Sequence, residues 1–311
     1  IHRARKVLAM PVTTLHDFFS MYQKRRLSDR SKLTAVQYVN TIKVFGRFIG
    51  TDSPTLEDIT EDTWSEWKSH MLEEGMSRAT INKHRRHLLT LLNWGREWRQ
   101  TTSTVTSKSL TPVDELLGSP VAWTVEEIGR LLDAAHRSRG RVGAIKLSDF
   151  WTALILTIYD TGARKGVLLT ITPREWFPAE RAICLPACKQ KQKTTQWCLV
   201  TPQTVDAINR IYCPDAQWLF NWTHDRHPTA SWNWLNRCFR ELVLAAGLDI
   251  EHGLFHRIRR TSASYKHKYS PGSATYELGH SSSRVTERYL DPRIIGGSKI
   301  VDLMPRPSFS M

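Results

Sequence analysis

The chain has 311 residues, 41% hydrophobic and 24% charged, with 44 Lys and Arg against 30 Asp and Glu and a net charge of +14. That length suits two domains better than one core. No apolar run approaches the ~18–20 residues of a membrane-spanning helix, so no membrane partner is expected. The basic surplus points to a polyanion, since each phosphate neutralised releases condensed counterion.

The opening IHRARKVLAM is basic and lacks a hydrophobic signal core, and it is expected to be the cut end of a longer chain. The first hundred residues then read as helices. TTLHDFFSMYQKR sets Leu15, Phe18, Phe19 and Tyr22 at helical spacing, and KLTAVQYVNTIKVFGRFI repeats it with Val36, Val39, Ile42, Phe45 and Phe48. EDTWSEWKSHMLEEG ends on Gly75, a plausible helix stop. In SRATINKHRRHLLTLLNWGREWRQ, Ile81, Leu88, Leu91, Leu92 and Trp98 are expected inward. The same helix carries Arg78, Lys83, Arg85, Arg86, Arg96 and Arg99 with His84 and His87 between them. A charge run is usually a solvated face; in a chain this basic it is also a candidate for lying along a phosphate backbone.

Residues 101–120, rich in Ser, Thr and Pro and almost without periodicity, read as an extended linker between a helical domain at 11–100 and a second domain at 121–311. The second domain opens on a capping box, Thr124 to Glu127. LSDFWTALILTIYDTGAR is a strongly apolar helix suited to the core. ERAICLP and TTQWCLVTP, joined by ACKQKQK, read as a β-hairpin with a lysine-laden tip. Helices follow in QTVDAINRIY, SWNWLNRCFRELVLAAG, HRIRRTSASYKHKY and SRVTERYL, so the fold class is mainly α with a small antiparallel sheet. Five cysteines (Cys184, Cys188, Cys198, Cys213 and Cys238) form no CxxC pair and no secretory signal is evident. They read as reduced packing thiols in a cytoplasmic protein, with no metal site expected.

Three clusters in the second domain suit a phosphodiester. In Asp160-Thr161-Gly162-Ala163-Arg164 the glycine permits a sharp turn that presents Arg164. In His256-Arg257-Ile258-Arg259 the outer pair, three apart, share a helix face. In LGHSSSRVTERYLDP, His280 sits in a Gly-His turn and Tyr289 stands nine residues later. Guanidinium forks bind non-bridging phosphate oxygens, and imidazoles move the proton of a phenol that is otherwise protonated at neutral pH. Such a phenol, once deprotonated, can attack phosphorus. Taken singly, each of these residues is more often structural than catalytic.

In their order and spacing the clusters resemble the tyrosine recombinase (phage integrase) family. Its pattern is an arginine after Thr-Gly, a hairpin lysine, His-x-x-Arg, Leu-Gly-His and a tyrosine nine residues beyond. The resemblance spans both domains, because the Arg78-to-Trp94 helix also looks like the last helix of the family's core-binding domain. It implies a site-specific recombinase acting on double-stranded DNA through a 3′-phosphotyrosine at Tyr289, without ATP, metal or other cofactor. Arg164 and Arg259 would hold the phosphate, His280 would hydrogen-bond it, and His256 would act in proton transfer. The lysine that protonates the leaving 5′ oxygen is Lys193 by its distance from Val200, with Lys189 and Lys191 as alternatives. Further DNA contacts are expected from Arg78, Lys83, Arg85, Arg86, Arg96, Lys189, Lys191, Arg257 and Arg260.

The resemblance also implies a homotetramer on two DNA sites, a prokaryotic and nucleoid-associated setting, and a tail from about 293 that docks on a neighbour or packs in cis. Three positions depart from the family pattern. Val167 stands where an acidic residue is frequent, Arg260 where His is common, and the stretch from Arg259 to His280 is slightly short. The rival readings are a type IB topoisomerase-like enzyme and a DNA-binding regulator without activity.

Overall fold

A computed structural model describes residues 13–27, 32–115, 118–223, 228–251 and 253–296. The chain divides into two compact units, Ile1–Leu117 and Gly118–Met311. Among the described residues no helix is long and apolar enough to cross a membrane.

The first unit holds four helices: α1 (Leu15–Arg26), α2 (Lys32–Ile49), α3 (Glu61–Glu73) and α4 (Arg78–Glu97). Thr14, Thr60 and Ser77 cap α1, α3 and α4 by accepting the amides of Asp17, Thr63 and Thr80, which satisfies donors with no partner inside the helix. The core is aromatic: Phe18, Phe45, Trp64 and Trp67 are fully buried among Leu15, Leu88, Leu91 and Leu92. Each such indole withdraws roughly 200 Å² from water, an upper limit of about 5 kcal/mol per side chain.

Three expected core positions are not core. Val36 and Val39 are 60% and 41% exposed, because Tyr38, Ile42 and Phe45 set the phase of the buried stripe on α2. Trp98, expected inward, is exposed just past the end of α4, with the Arg25 guanidinium 4.1 Å from its ring centre.

The stretch expected as a linker is bound along α3 and α4 as far as residue 115. Leu110 is fully buried in the first core. Asn82 clasps the backbone of Val113 in both directions, at 2.7 and 2.9 Å, and Trp64 Nε1 donates to Thr111 O at 2.9 Å. A segment without hydrophobic periodicity is held here by side chains that reach its carbonyls, so composition gives no sign of its order.

The second unit is arranged around α6 (Leu147–Thr161), with ten buried residues and neighbours α5 (Val125–His136), α8 (Pro202–Asn209) and α10 (Leu254–Tyr269). α5 starts on the predicted capping box, with Thr124 and Glu127 bonding reciprocally. Before α6 lies a two-stranded ribbon, β1 (Arg141–Val142) and β2 (Ile145–Lys146). After it come α7 (Lys165–Leu168) and an antiparallel sheet in the order β3 (Trp176–Phe177), β4 (Ala182–Leu185), β5 (Gln196–Leu199). β4 and β5 are the predicted hairpin, in register Ile183↔Cys198 and Leu185↔Gln196; β1, β2 and β3, only two residues each, carry too little pattern to be read from sequence. α9 (Pro228–Ala245), α11 (Ser273–Glu277), α12 (Ser283–Glu287) and α13 (Pro292–Ile295) complete the unit. Helix in SRVTERYL stops at Glu287, so Tyr289 sits in the turn beyond it and not on the helix.

Candidate functional site

α6 ends on Gly162, whose φ of +63 is the left-handed conformation that glycine adopts without cost. A side chain there would also meet Leu278 Cδ2 at 2.7 Å, so the turn admits only glycine. The chain leaves this turn directly into Arg164, the N-cap of α7.

Arg259, one turn into α10, is 3% exposed, and its guanidinium reaches back to the same turn. One terminal nitrogen donates to Gly162 O; the other donates to Leu278 O at 3.3 Å and to His280 Nε2 at 3.1 Å. A guanidinium only donates, so His280 Nε2 is the acceptor and its Nδ1–H is left to donate to Thr286 Oγ1 at 3.0 Å. Thr286, on α12, thereby fixes the ring and its tautomer. Burial, then the charges of Arg259 and Arg164, lower the His280 pKa to about 4.

Tyr289 is held from behind. Leu290 enters a small core with Ala263, Ala274 and Leu278, and Asp291 beside it is buried. The phenol ring lies 4.9 Å from the His280 ring and 5.1 Å from the Arg259 guanidinium carbon, measured between centres. Burial lowers the Arg259 pKa to about 10; Arg164 lowers it too, and Tyr289 opposes both. Its Nε–H has no hydrogen-bond partner among the described residues. Arg257 on the same helix shares that unpaired Nε, but Asp249 neutralises it at 2.8 Å. No carboxylate does so for Arg259 among the groups that shift it. A buried, unneutralised guanidinium with a spare donor beside a phenol has the chemistry to take an anion.

His256, in the first turn of α10, is exposed, and its pKa is lowered by desolvation and then by Arg259, Arg260, Arg164 and Lys165. With Arg164 it lines a basic cleft of about 870 Å³ that also takes in Lys165, Lys189, Lys191 and Arg240. Lys165 was not anticipated. Its ammonium lies 4.2 Å from the Trp232 ring centre and 4.4 Å from that of Phe255 and donates to Asn236 Oδ1 at 2.5 Å; burial lowers its pKa to about 8.

The structure thus gathers Arg164, Arg259, His280 and Tyr289 together, with His256 on the adjoining cleft. The predicted lysines are spread along the hairpin connection. Lys189 is paired with Glu175 at 2.6 Å, whereas Lys191 and Lys193 are exposed, Lys193 with a left-handed φ of +57. Other expected DNA contacts are engaged inside the protein. Arg257 is buried against Asp249, because its face of α10 turns into the core. Arg260, half-buried, donates to Val121 O at 3.3 Å.

In the first unit, Arg78 donates to Asp114 O at 2.8 Å, Arg85 to Ser107 O at 2.6 Å and to Leu110 O, and Arg96 to Val105 O at 2.6 Å. These three hold the 101–115 stretch as a strap along the helices; Lys83 and Arg86 are the half-buried and exposed remainder of that set. Thr286 and Gln192, bonded to His280 and Arg164, are the neighbours of these residues that sequence reasoning passed over. The only signal for them is adjacency, Thr286 three residues before Tyr289 and Gln192 between two lysines. Among the described residues no group of three or more His, Cys, Asp or Glu is placed to hold a metal ion.

Comparison with known proteins shows this to be the fold of solved DNA integrases, and a family model matches part of the first unit. Residues 14–97 match the family of phage integrase SAM-like domains. The structure is similar to lambda integrase, solved as a tetramer bound to a Holliday junction, with a TM-score of 0.69 and 21% identity over 91% of this chain and 79% of that one. It is also similar to the Tn1549 transposon integrase in complex with a circular intermediate DNA, with a TM-score of 0.68 and 15% identity over 89% of this chain and 95% of that one. No curated protein matches the sequence.

Proposed function

We infer that the chain is a site-specific DNA recombinase of the integrase kind. The carrying observation is the Tyr289 phenol set against Arg259, a buried guanidinium with no neutralising carboxylate and an unpartnered Nε–H. In the proposed reaction the Tyr289 oxygen forms a bond to a scissile phosphorus while the bond from phosphorus to the 5′ oxygen breaks, leaving a 3′-phosphotyrosine. Arg164 and Arg259 take the non-bridging oxygens. His256, neutral at pH 7 by the direction of its shift, accepts the phenol proton. Lys193 gives a proton to the departing 5′ oxygen. An anion beside His280 raises its proton affinity, so its Nε2 leaves Arg259 and donates to the phosphate. The phosphotyrosine keeps the energy of the broken ester, so rejoining needs no ATP, and two arginines supply the charge that a metal would.

The proposed working unit is a homotetramer on paired DNA sites, by likeness to lambda integrase solved as a tetramer on a Holliday junction, and the proposed setting is a prokaryotic cytoplasm, at the nucleoid. The tail expected to dock on a neighbour or pack in cis lies, from residue 297, outside the described residues. The test is a pool of nicked duplexes with randomised sites, incubated with the protein and resolved under denaturing conditions. A covalent adduct in wild type, lost in Tyr289→Phe with retarded DNA unchanged, is expected. Retardation without adduct would mark a regulator, and relaxation of supercoiled DNA irrespective of sequence would mark a topoisomerase.

A further inference from the structure

The hairpin connection that carries the three lysines is not loose. Gln190, 6% exposed, donates through its side chain to Leu185 O at 3.0 Å and Thr194 O at 2.7 Å, closing the loop on itself. Lys193 N donates to Gln190 O at 3.2 Å and takes the left-handed backbone that a lysine rarely adopts. Between Lys191 and Lys193, Gln192 points into the anion site. Its Oε1 accepts from Arg164 Nη1 at 2.9 Å and its amide donates to Leu278 O at 3.4 Å, the carbonyl that also receives Arg259. One side chain therefore ties the loop to Arg164 and to the carbonyl that Arg259 also holds, and it occupies a terminal nitrogen of Arg164 that a phosphate would need.

We propose that Gln192 is a positioning residue that latches the lysine-bearing loop to Arg164 until a DNA phosphate displaces it. This rests on the reading of Arg164 and Arg259 as the phosphate site. A carbonyl oxygen and a phosphate oxygen compete for the same N–H, and the charged acceptor makes the stronger bond. Phosphate arrival then frees the loop tip, with Lys191 and Lys193 on either side of Gln192, to move toward the leaving oxygen. Loop release is thereby conditional on occupancy of the site, so the general acid is delivered only where a phosphate is in place.

The test is hydrogen exchange of residues 186–195 in the full chain without DNA, paired with DNA titration of retardation and adduct. Losing a hydrogen bond to a charged group should speed exchange of the loop by about tenfold in Gln192→Ala. The same variant should need about tenfold less DNA for half-saturation, since a competitor for Arg164 is removed. Gln192→Glu, of the same shape, should pair with Arg164, slow loop exchange and demand more DNA. A purely structural role would give weaker DNA engagement in Gln192→Ala; that result, or unchanged loop exchange, would overturn the latch. The exchange measurement uses no DNA, so wild-type retardation without adduct would sink the recombinase reading separately.

Discussion

Two helices carry a dense basic run with histidines, α4 in the first unit and α10 in the second, and they use it in opposite ways. On α4 the histidines turn inward: His84 and His87 both meet the buried Thr41 hydroxyl, at 2.8 and 2.7 Å. The arginines of α4 turn outward and hold backbone carbonyls of the strap. On α10 the arginines are inward and His256 is outward. Charge density along a helix therefore does not mark a reactive site. What sets Arg259 apart is burial without a carboxylate among the groups that shift it, and the proposed site rests on that difference.

The sharpest way to break this contrast is Arg259→Lys. A single ammonium replaces the fork, and adduct formation should fall about 10²–10³-fold, the loss for one transition-state donor. Retardation of DNA should change little. If retardation falls as far as adduct formation, Arg259 is no more than a DNA-binding cation.

The histidines of α4 give the next effect. Burial first lowers both His84 and His87 to about 4 from the usual 6.5, with Lys83 adding at His84 and with His84, Lys83 and Arg86 adding at His87. The folded state then binds fewer protons than the unfolded one between those values. Their contribution is complete above about pH 6.5 and is lost as pH falls toward 4, on the order of 3 kcal/mol for the deeply buried His84. Hydrogen-exchange protection of α2 and α4 should drop over that window and hold steady from pH 7 to 8. His84→Gln should flatten the dependence.

Arg85→Ala should cost about 1–3 kcal/mol, since it strips donors from Ser107 O and the buried Leu110 O. Protease cleavage within 101–115 should rise. Arg86→Ala, on the exposed side of the same helix, should leave stability within about 0.5 kcal/mol. If α4 lies along DNA, the salt dependence of retardation should shallow by about one counterion. Equal effects from the two substitutions would erase the distinction between strap and surface.

Much of this was legible in the sequence. Local signals survived well: the Thr124–Glu127 capping box, the apolar α6 and the β4–β5 hairpin are each set by residues a few positions apart. So is Gly162, whose turn depends on its own backbone. The order of Arg164, His256, Arg259, His280 and Tyr289 also predicts a shared site, and four of them meet. What was not legible depends on partners distant in sequence. Asn82 binds Val113 and Trp64 binds Thr111, so the strap resembled a linker until its partners were placed. Arg257 looked as available as Arg259 because only the fold brings Asp249 against it. Val36 and Val39 satisfied helical spacing but lie on the wrong side of the stripe that Tyr38 and Ile42 define. Gln192 sat within the lysine run, and only its distance to Arg164 distinguishes it.

The residues just beyond Tyr289 have a mechanical meaning. Asp291, 1% exposed, accepts the amide of Ala122 at 2.7 Å, and Arg293 donates to Ala122 O at 3.0 Å. Trp123, next along, exchanges hydrogen bonds in both directions with Thr261 on α10. The start of the second unit is thus fastened two residues from the tyrosine and two from Arg259. A force entering the unit along its N-terminal chain is carried onto these anchors before it reaches the core. Tension on that chain would therefore load the tyrosine and Arg259 together, pulling the pair as one piece.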